Sequence, residues 1–281
     1  MPAIMHVTKP LSEAERNARL YGGDILIFRG FPRVVECLDL LRARCLDYLG
    51  DDPLQVHTHQ SATAIEQRLD ELRAALRRDD EINHAWREAL AELGVDSDAT
   101  YGDGVVVRGQ PPGTQQTGSR LAPLATHRDT WGSNIAAQTN WWMPLYTTTP
   151  ERTLALYPAY FERPVTNNST GWDFKAMGRA RKAGDEYPLL PTATEPPPQS
   201  EALAISLSPG DLLCFSGAHL HASVPNTTEA TRLSFETRTV NGTDAMAGHG
   251  APNVDGGAVY TTYSMFKHLE SGQKLDESRP T

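Results

Sequence analysis

The sequence predicts a mainly β jelly roll with a helical flank, and three observations lead there. Residues 1–103 carry apolar positions at helical spacing over 34–49 and again over 62–93. From Gly104 the texture changes to short β-rich runs separated by Pro, Gly, Asn and Thr clusters, the pattern of a sandwich or barrel. Eight such runs precede residue 241, the number a jelly roll uses. The expected organisation is one domain over 1–281. In it, 1–103 is the helical flank packed on the core, 104–240 the jelly roll, and 241–281 a C-terminal extension with a short helix near 260–269.

The elements follow in order. Asp24-Ile25-Leu26-Ile27-Phe28, closed by Arg29-Gly30-Phe31-Pro32, suits an early strand. Leu69, Leu72 and Leu76, then Trp86, Leu90 and Leu93, form one core-facing stripe each. His57-x-His59 stands just before a helix whose cap is Ser61 and reads as a surface turn. Strands are expected over 105–108, 121–127, 134–144, 153–157, 202–207, 211–215, 218–223 and 232–240. Two loops interrupt them, 110–120 and 166–200, and loops of that length in a compact domain act as lids or carry function. Asn253-Val254-Asp255-Gly256-Gly257 lacks the strand-to-helix context of a phosphate loop and reads as a turn.

Composition narrows the function classes. With 39% hydrophobic and 22% charged residues in 281, the chain is an ordinary globular one. Lys and Arg number 26 against 35 Asp and Glu, a net charge of −9 that repels a nucleic acid backbone. No run approaches the ~20 apolar residues of a membrane span. The N-terminus shows no basic region followed by an apolar segment, so a cytoplasmic location is expected. Cys37, Cys45 and Cys214 are odd in number and far apart, which suits buried free thiols rather than a disulfide framework or zinc knuckle.

The chemistry gathers at two places. In Thr126-His127-Arg128-Asp129-Thr130-Trp131, strand alternation puts His127 and Asp129 on one face. In Gly217-Ala218-His219-Leu220-His221-Ala222-Ser223-Val224-Pro225-Asn226, His219 and His221 both lie on one face of an extended segment, and either is a candidate third ligand. Two imidazoles and one carboxylate arranged facially leave half of an octahedral metal site open, as non-haem Fe(II) oxygenases require. Arg232 follows on the next strand with Ser234 on its face, a pair suited to gripping a carboxylate.

These residues resemble the iron- and 2-oxoglutarate-dependent dioxygenases. Ser208-Pro209-Gly210-Asp211-Leu212-Leu213-Cys214-Phe215 and Leu220-His221-Ala222-Ser223-Val224-Pro225-Asn226 are similar to the phytanoyl-CoA dioxygenase-like branch, over about 105–240. The resemblance implies a double-stranded β-helix of cupin-like type, Fe(II) held by His127, Asp129 and His221, and the far carboxylate of 2-oxoglutarate held by Arg232 with Ser234. Its spacing to Arg232 favours His221 over His219. It further implies consumption of O2, release of succinate and CO2, and hydroxylation of an unactivated C–H bond. Related halogenases carry Ala or Gly where Asp129 stands, so hydroxylation is expected over halogenation; desaturation, cyclisation and epimerisation use the same triad. Tyr157-Pro158-Ala159-Tyr160-Phe161 departs from the Pro-Gly-Ser-His-like turn common among relatives, which removes the ground for a substrate analogy but leaves the metal site as it is. The aromatic text around Trp141 and Trp142 hints at secondary metabolism.

Further pocket candidates come from alternation. Gln138 or Asn140, on the strand after Asp129, is placed to donate to 2-oxoglutarate or substrate, with Gln138 preferred for the cofactor. Trp131, Gln110 and His219 are candidates for the substrate wall. Arg108, Arg120, Arg128 and Arg163 read as solvated charges or as a site for an anionic group on a small-molecule substrate. Arg238 reads as a salt-bridged barrel residue. Two rivals use the same barrel: a metal enzyme of cupin type that needs no 2-oxoglutarate, and a non-catalytic binding module.

Overall fold

The computed structural model describes residues 2–114 and 119–276. Its first strand, β1 (Ile4–Val7), pairs in parallel with β2 (Ile25–Phe28) across helix α1 (Glu13–Tyr21). Every β2 side chain is buried, as befits a strand covered on both faces. Helices α2 (Pro32–Leu49), α3 (Val56–His59), α4 (Ala62–Leu76) and α5 (Asp80–Glu92) come next. Ser12, Ser61 and Asp79 start α1, α4 and α5, each side chain accepting from the amide three residues on. Strands β3 (Thr100–Gly102) and β4 (Val106–Gln110) precede the one-turn helix α6 (Thr130–Ser133). The remainder runs β5 (Gln138–Pro144), β6 (Leu154–Leu156), α7 (Phe174–Ala183), β7 (Leu203–Ile205), β8 (Leu212–Ser216), β9 (His221–Ser223), β10 (Arg232–Asn241), α8 (Gly242–Met246) and β11 (Lys267–His268).

Two sheets result. The larger follows the order β1, β2, β8, β5, β10, β3, β11, with β4 pairing β10 ahead of β3; the smaller is β7, β6, β9. Ile25, Ile27, Trp142, Leu213 and Phe215 of the larger sheet meet Leu154, Leu156 and Ile205 of the smaller in one apolar layer. On the opposite face of the larger sheet, Phe28, Trp141, Met143, Cys214, Leu233 and Phe235 join α2, α4 and α5 in the main core. This is a jelly roll with its helical flank on one side. Alternation then points Gln138, Asn140 and Trp142 of β5, and Arg232, Ser234, Glu236 and Arg238 of β10, into the space between the sheets.

Several expected elements differ. The strand expected over 121–127 shrinks to an isolated bridge between His127 and His221, and Pro123 within it lacks the N–H a ladder needs. The strand expected from 134 begins at Gln138, because 130–133 wind into α6 and Asn134 ends that helix in the left-handed region, φ 55°. The strand expected from 218 begins at His221, since the chain first turns back, with the His219 amide donating to Ser216 O (2.9 Å). The loop expected over 166–200 contains α7, capped by Asp173 and ended by Gly184 at φ 77°. No helix forms over 260–269; a 3₁₀ turn at Tyr263–Met265 leads into β11, whose backbone is claimed by β3, and the extension's helix is α8. Strand β1 was not expected, as only Val7 of its four residues is buried. Part of the 110–120 loop, 115–118, lies outside the described residues. All three cysteines are free and buried, and burial pushes the Cys37 and Cys45 thiols up to about 12. Among the described residues, no helix is long and apolar enough to cross a membrane.

Candidate metal centre

The two imidazoles are neighbours because the backbone makes them so. The His127 amide donates to His221 O and the His221 amide donates to His127 O, both at 2.9 Å, the reciprocal exchange of an antiparallel pair. Residues so paired project to the same side, and the rings lie 4.1 Å apart between centroids. Each ring is then oriented by a carbonyl that can only accept: His127 Nδ1–H donates to Ala125 O (2.7 Å) and His221 Nδ1–H donates to His219 O (2.9 Å). Both Nε2 atoms are left facing away from those carbonyls, where each could bind a metal.

Asp129 occupies the N-cap position of α6, where an Asp normally accepts from a helix amide, yet its side chain makes no cap bond. It turns inward instead. Asn140 Nδ2 donates to Asp129 Oδ2 (2.5 Å), and Gln138 Nε2 donates to Asn140 Oδ1 (3.0 Å). The other carboxylate oxygen, Oδ1, lies 3.7 Å from His127 Nε2 and 3.8 Å from an Arg238 nitrogen. Ligand atoms of His127, Asp129 and His221 all fall within 4.8 Å of one another, the one such group of three among the described residues.

Protonation states suit a cation. Burial, reinforced by the His221 ring, pushes His127 down to about 3, so it is neutral. Burial alone would raise the Asp129 carboxyl, but Arg238 foremost, with the Asn140 hydrogen bond, helps to hold it below its ordinary value. Two imidazole nitrogens and one carboxylate oxygen converging from one side would leave the other side of an ion to water or ligand.

Beside this group stands Arg232. It is buried, its Nη1 donates to Thr153 O (2.7 Å), its Nη2 reaches Ser223 Oγ (3.4 Å), and its Nε has no partner. Ser223 is two residues along β9 from His221 on the same buried face, about 6.6 Å by strand rise. No carboxylate of the described residues forms an ion pair with Arg232. Burial pushes it down to about 10, with Arg108 contributing, so it keeps its charge at neutral pH. Ser234 Oγ, two residues along β10, and Gln110 Oε1, opposite Arg232 in the ladder, are also buried without partners, as is Gln138 Oε1. A buried cation with an unmatched N–H, and an unmatched hydroxyl two residues along the same strand, fits an anionic guest.

Of the remaining candidates, Gln110 lies opposite Arg232 and the others are engaged away from the triad. His219 Nε2–H donates to Gly23 O (2.8 Å) and its ring packs on Phe161 at 4.6 Å, on the far side of the turn from the triad. Trp131 is fully buried and donates through Nε1 to Asp255 Oδ1 (2.7 Å). Gln110 Nε2 donates to Val224 O (3.1 Å). The four rim arginines all have partners within the chain: Arg108 pairs with Glu236 (3.1 Å), Arg120 with Asp70, Arg128 with Asp255 (3.2 Å), and Arg163 lies over the Tyr160 ring at 4.3 Å. Arg238 pairs with Asp103 (2.6 Å). The roles of Asp103 and Asp255 carry no signal in the sequence, because an isolated Asp in a turn is common.

No family model matches the chain, and no curated protein matches it. Solved structures are similar to it in outline. EvdO2 from Micromonospora carbonacea var. aurantiaca, complexed with 2-oxoglutarate, shares 15% identity, covering 84% of this chain and 94% of its own at a TM-score of 0.49. The non-heme alpha ketoglutarate dependent carbocyclase SnoK from nogalamycin biosynthesis shares 15%, covering 87% and 96% at 0.46. The epimerase SnoN from the same biosynthesis shares 18%, covering 91% and 98% at 0.44. Likeness at this level leaves the activity to be read from the side chains.

Proposed function

We propose that the chain is a non-haem Fe(II)- and 2-oxoglutarate-dependent oxygenase that hydroxylates an unactivated C–H bond of a small molecule. One observation carries the reading: a group of two imidazoles and a carboxylate stands beside a buried guanidinium that has an unmatched N–H and no carboxylate of its own. His127, Asp129 and His221 would hold the iron. Arg232, with the Ser234 hydroxyl beside it, would hold the far carboxylate of the keto acid. Bound there, iron and 2-oxoglutarate supply the oxidising power, with O2 consumed and succinate and CO2 released.

The chain's own part is placement and exclusion. Carbonyls of Ala125 and His219 fix the two rings so that both Nε2 atoms face one point. Asn140 occupies Asp129 Oδ2, which leaves Oδ1 to the ion and favours coordination through one oxygen, keeping positions open for ligands. Phe215, whose ring lies 5.2 Å from that of His221, and Trp142 in the apolar layer keep bulk water from the inner side. With iron held there, the Asp129 carboxylate would take the position that a halide would need, which supports the reading as a hydroxylase.

Addition of Fe(II) and 2-oxoglutarate without oxygen should give a weak visible charge-transfer band, absent in His127→Ala. A wild-type protein with no such band refutes the proposal. Succinate release across a panel of small metabolites then finds the substrate.

A further inference from the structure

We infer that Asp255, in the C-terminal extension, is a positioning residue for the metal centre, acting on Asp129 through the residues on either side of it. This rests on the reading of His127, Asp129 and His221 as metal ligands. Asp255 is nearly enclosed, its side chain 5% exposed, in a turn where the Gly256 amide donates to Asn253 Oδ1 (2.7 Å). Its carboxylate accepts three donors: Arg128 Nε (3.2 Å), Trp131 Nε1 (2.7 Å) and the Val165 amide (2.9 Å).

Arg128 immediately precedes Asp129 and Trp131 follows it by two, so one carboxylate grips both flanks of the ligand. Every other hydrogen bond of the buried Arg128 guanidinium goes to a carbonyl, of Ala218, Tyr160 (2.7 Å) and Arg163 (2.9 Å), so Asp255 is its one anion among the described residues. Trp131 is fully buried within one turn of helix, and tying its indole N–H fixes the rotation of that turn about its axis. The rotation sets the direction of the Asp129 side chain, whose carboxylate is otherwise held by Asn140 alone among short contacts.

The rest of the extension is seated along the same turn. The Thr262 amide donates to Ser133 O (3.0 Å), Asn134 Nδ2 donates to Thr261 Oγ1 (3.2 Å), and the Ala251 amide donates to Ala136 O (3.0 Å). The approach is so close that a Cβ on Gly250 would stand 2.3 Å from the Ala136 carbonyl carbon. Asp255 also accepts through its backbone oxygen from Asn167 Nδ2 (2.9 Å), so the 166–200 segment is moored to the residue that holds the metal turn.

Co(II), a redox-stable probe, tests this on the full chain. Asp255→Asn keeps the shape but turns an N–H₂ toward Arg128 and Trp131. It should weaken Co(II) binding by about 10- to 100-fold and alter the visible ligand-field band. Ser61→Ala, which removes the α4 cap far from the centre, should lower the melting temperature and leave both readings unchanged. If Asp255→Asn does not fold, Trp131→Phe deletes the donor and keeps a smaller aromatic ring in its place, with about threefold to tenfold weaker binding expected. Co(II) affinity within twofold of wild type, with the wild-type band, in either folded variant overturns the inference, whatever the melting temperature does. Wild type that binds no Co(II) overturns the metal reading and this inference with it; tight wild-type binding with an unaffected variant overturns this one alone.

Discussion

Replacing Arg232 with methionine should have effects of opposite sign on cofactor binding and on the stability of the unliganded protein. The guanidinium is buried with Nη1 on Thr153 O, Nη2 at 3.4 Å from Ser223 Oγ, and Nε unmatched. A carboxylate accepting from Nε and Nη2 would gain two charge-assisted hydrogen bonds, each worth about 1.5–3 kcal/mol. Their loss amounts to about 3–6 kcal/mol, a fall in 2-oxoglutarate affinity on the order of 10²- to 10⁴-fold. Without the cofactor, the same arginine is a desolvated charge with no carboxylate, and Thr153 O keeps a second donor in the Val224 amide (2.9 Å). An apolar side chain of similar length should therefore leave the unliganded protein as stable or more so. Thermal melts with and without 2-oxoglutarate read both quantities at once, since a ligand that binds only the folded state raises the midpoint. Wild type should rise with the keto acid and the variant should not, from an equal or higher starting point. A variant that still responds within threefold of the wild-type affinity, or that is several kcal/mol less stable before ligand is added, refutes the assignment of Arg232 to the cofactor.

Asn140→Leu removes the donor that holds Asp129 Oδ2 and strands Gln138 Nε2, and about 10- to 100-fold weaker Co(II) binding is expected by equilibrium titration; unchanged affinity would mean the carboxylate needs no such restraint. Glu13 is a carboxylate that burial would raise but that Arg16, chiefly, holds below its ordinary value, while its oxygens accept from Asn17, Asn241 (both 3.1 Å) and the Asp96 amide (2.9 Å). A depressed folded value means this stabilisation is fully present above the ordinary carboxylate value and is lost as pH falls from there through the lower folded value. Glu13→Gln should thus cost about 2–4 kcal/mol in urea unfolding at neutral pH, with the gap to wild type closing in acid; a gap independent of pH contradicts it.

What the sequence made legible was whatever alternation and spacing control. β10 alternates cleanly between Arg232, Ser234, Glu236 on the inner face and Leu233, Phe235 on the core, whereas His127 and Asp129 converge by another route than alternation, since Asp129 already has helical backbone angles at the start of α6. Where a turn interrupts extension, alternation misleads. His219 sits in the turn between β8 and β9, so it faces Gly23 and Phe161 rather than sharing the inner side with His221. The segment 260–269 has helix-like apolar spacing, yet β3 offers its backbone a partner, and pairing at Lys267 overrides local preference. Asp255 was illegible for another reason: its three partners come from 128, 131 and 165, and contacts over such separations have no periodic trace. The arginines at 108, 120, 128 and 163 looked alike in the sequence, and only the fold shows that each is already matched.

The rung that joins His127 to His221 belongs to the smaller sheet, whose ladder beyond three short strands is continued there by the isolated bridge and the Ser223 amide's bond to Leu124 O. An ion gripping both rings would act as a rivet through that seam, adding to the two backbone bonds a link that cannot part without unloading the metal. Fraying of the barrel wall and escape of the ion then become a single event, and the amide protons of His127 and His221 are its natural reporters.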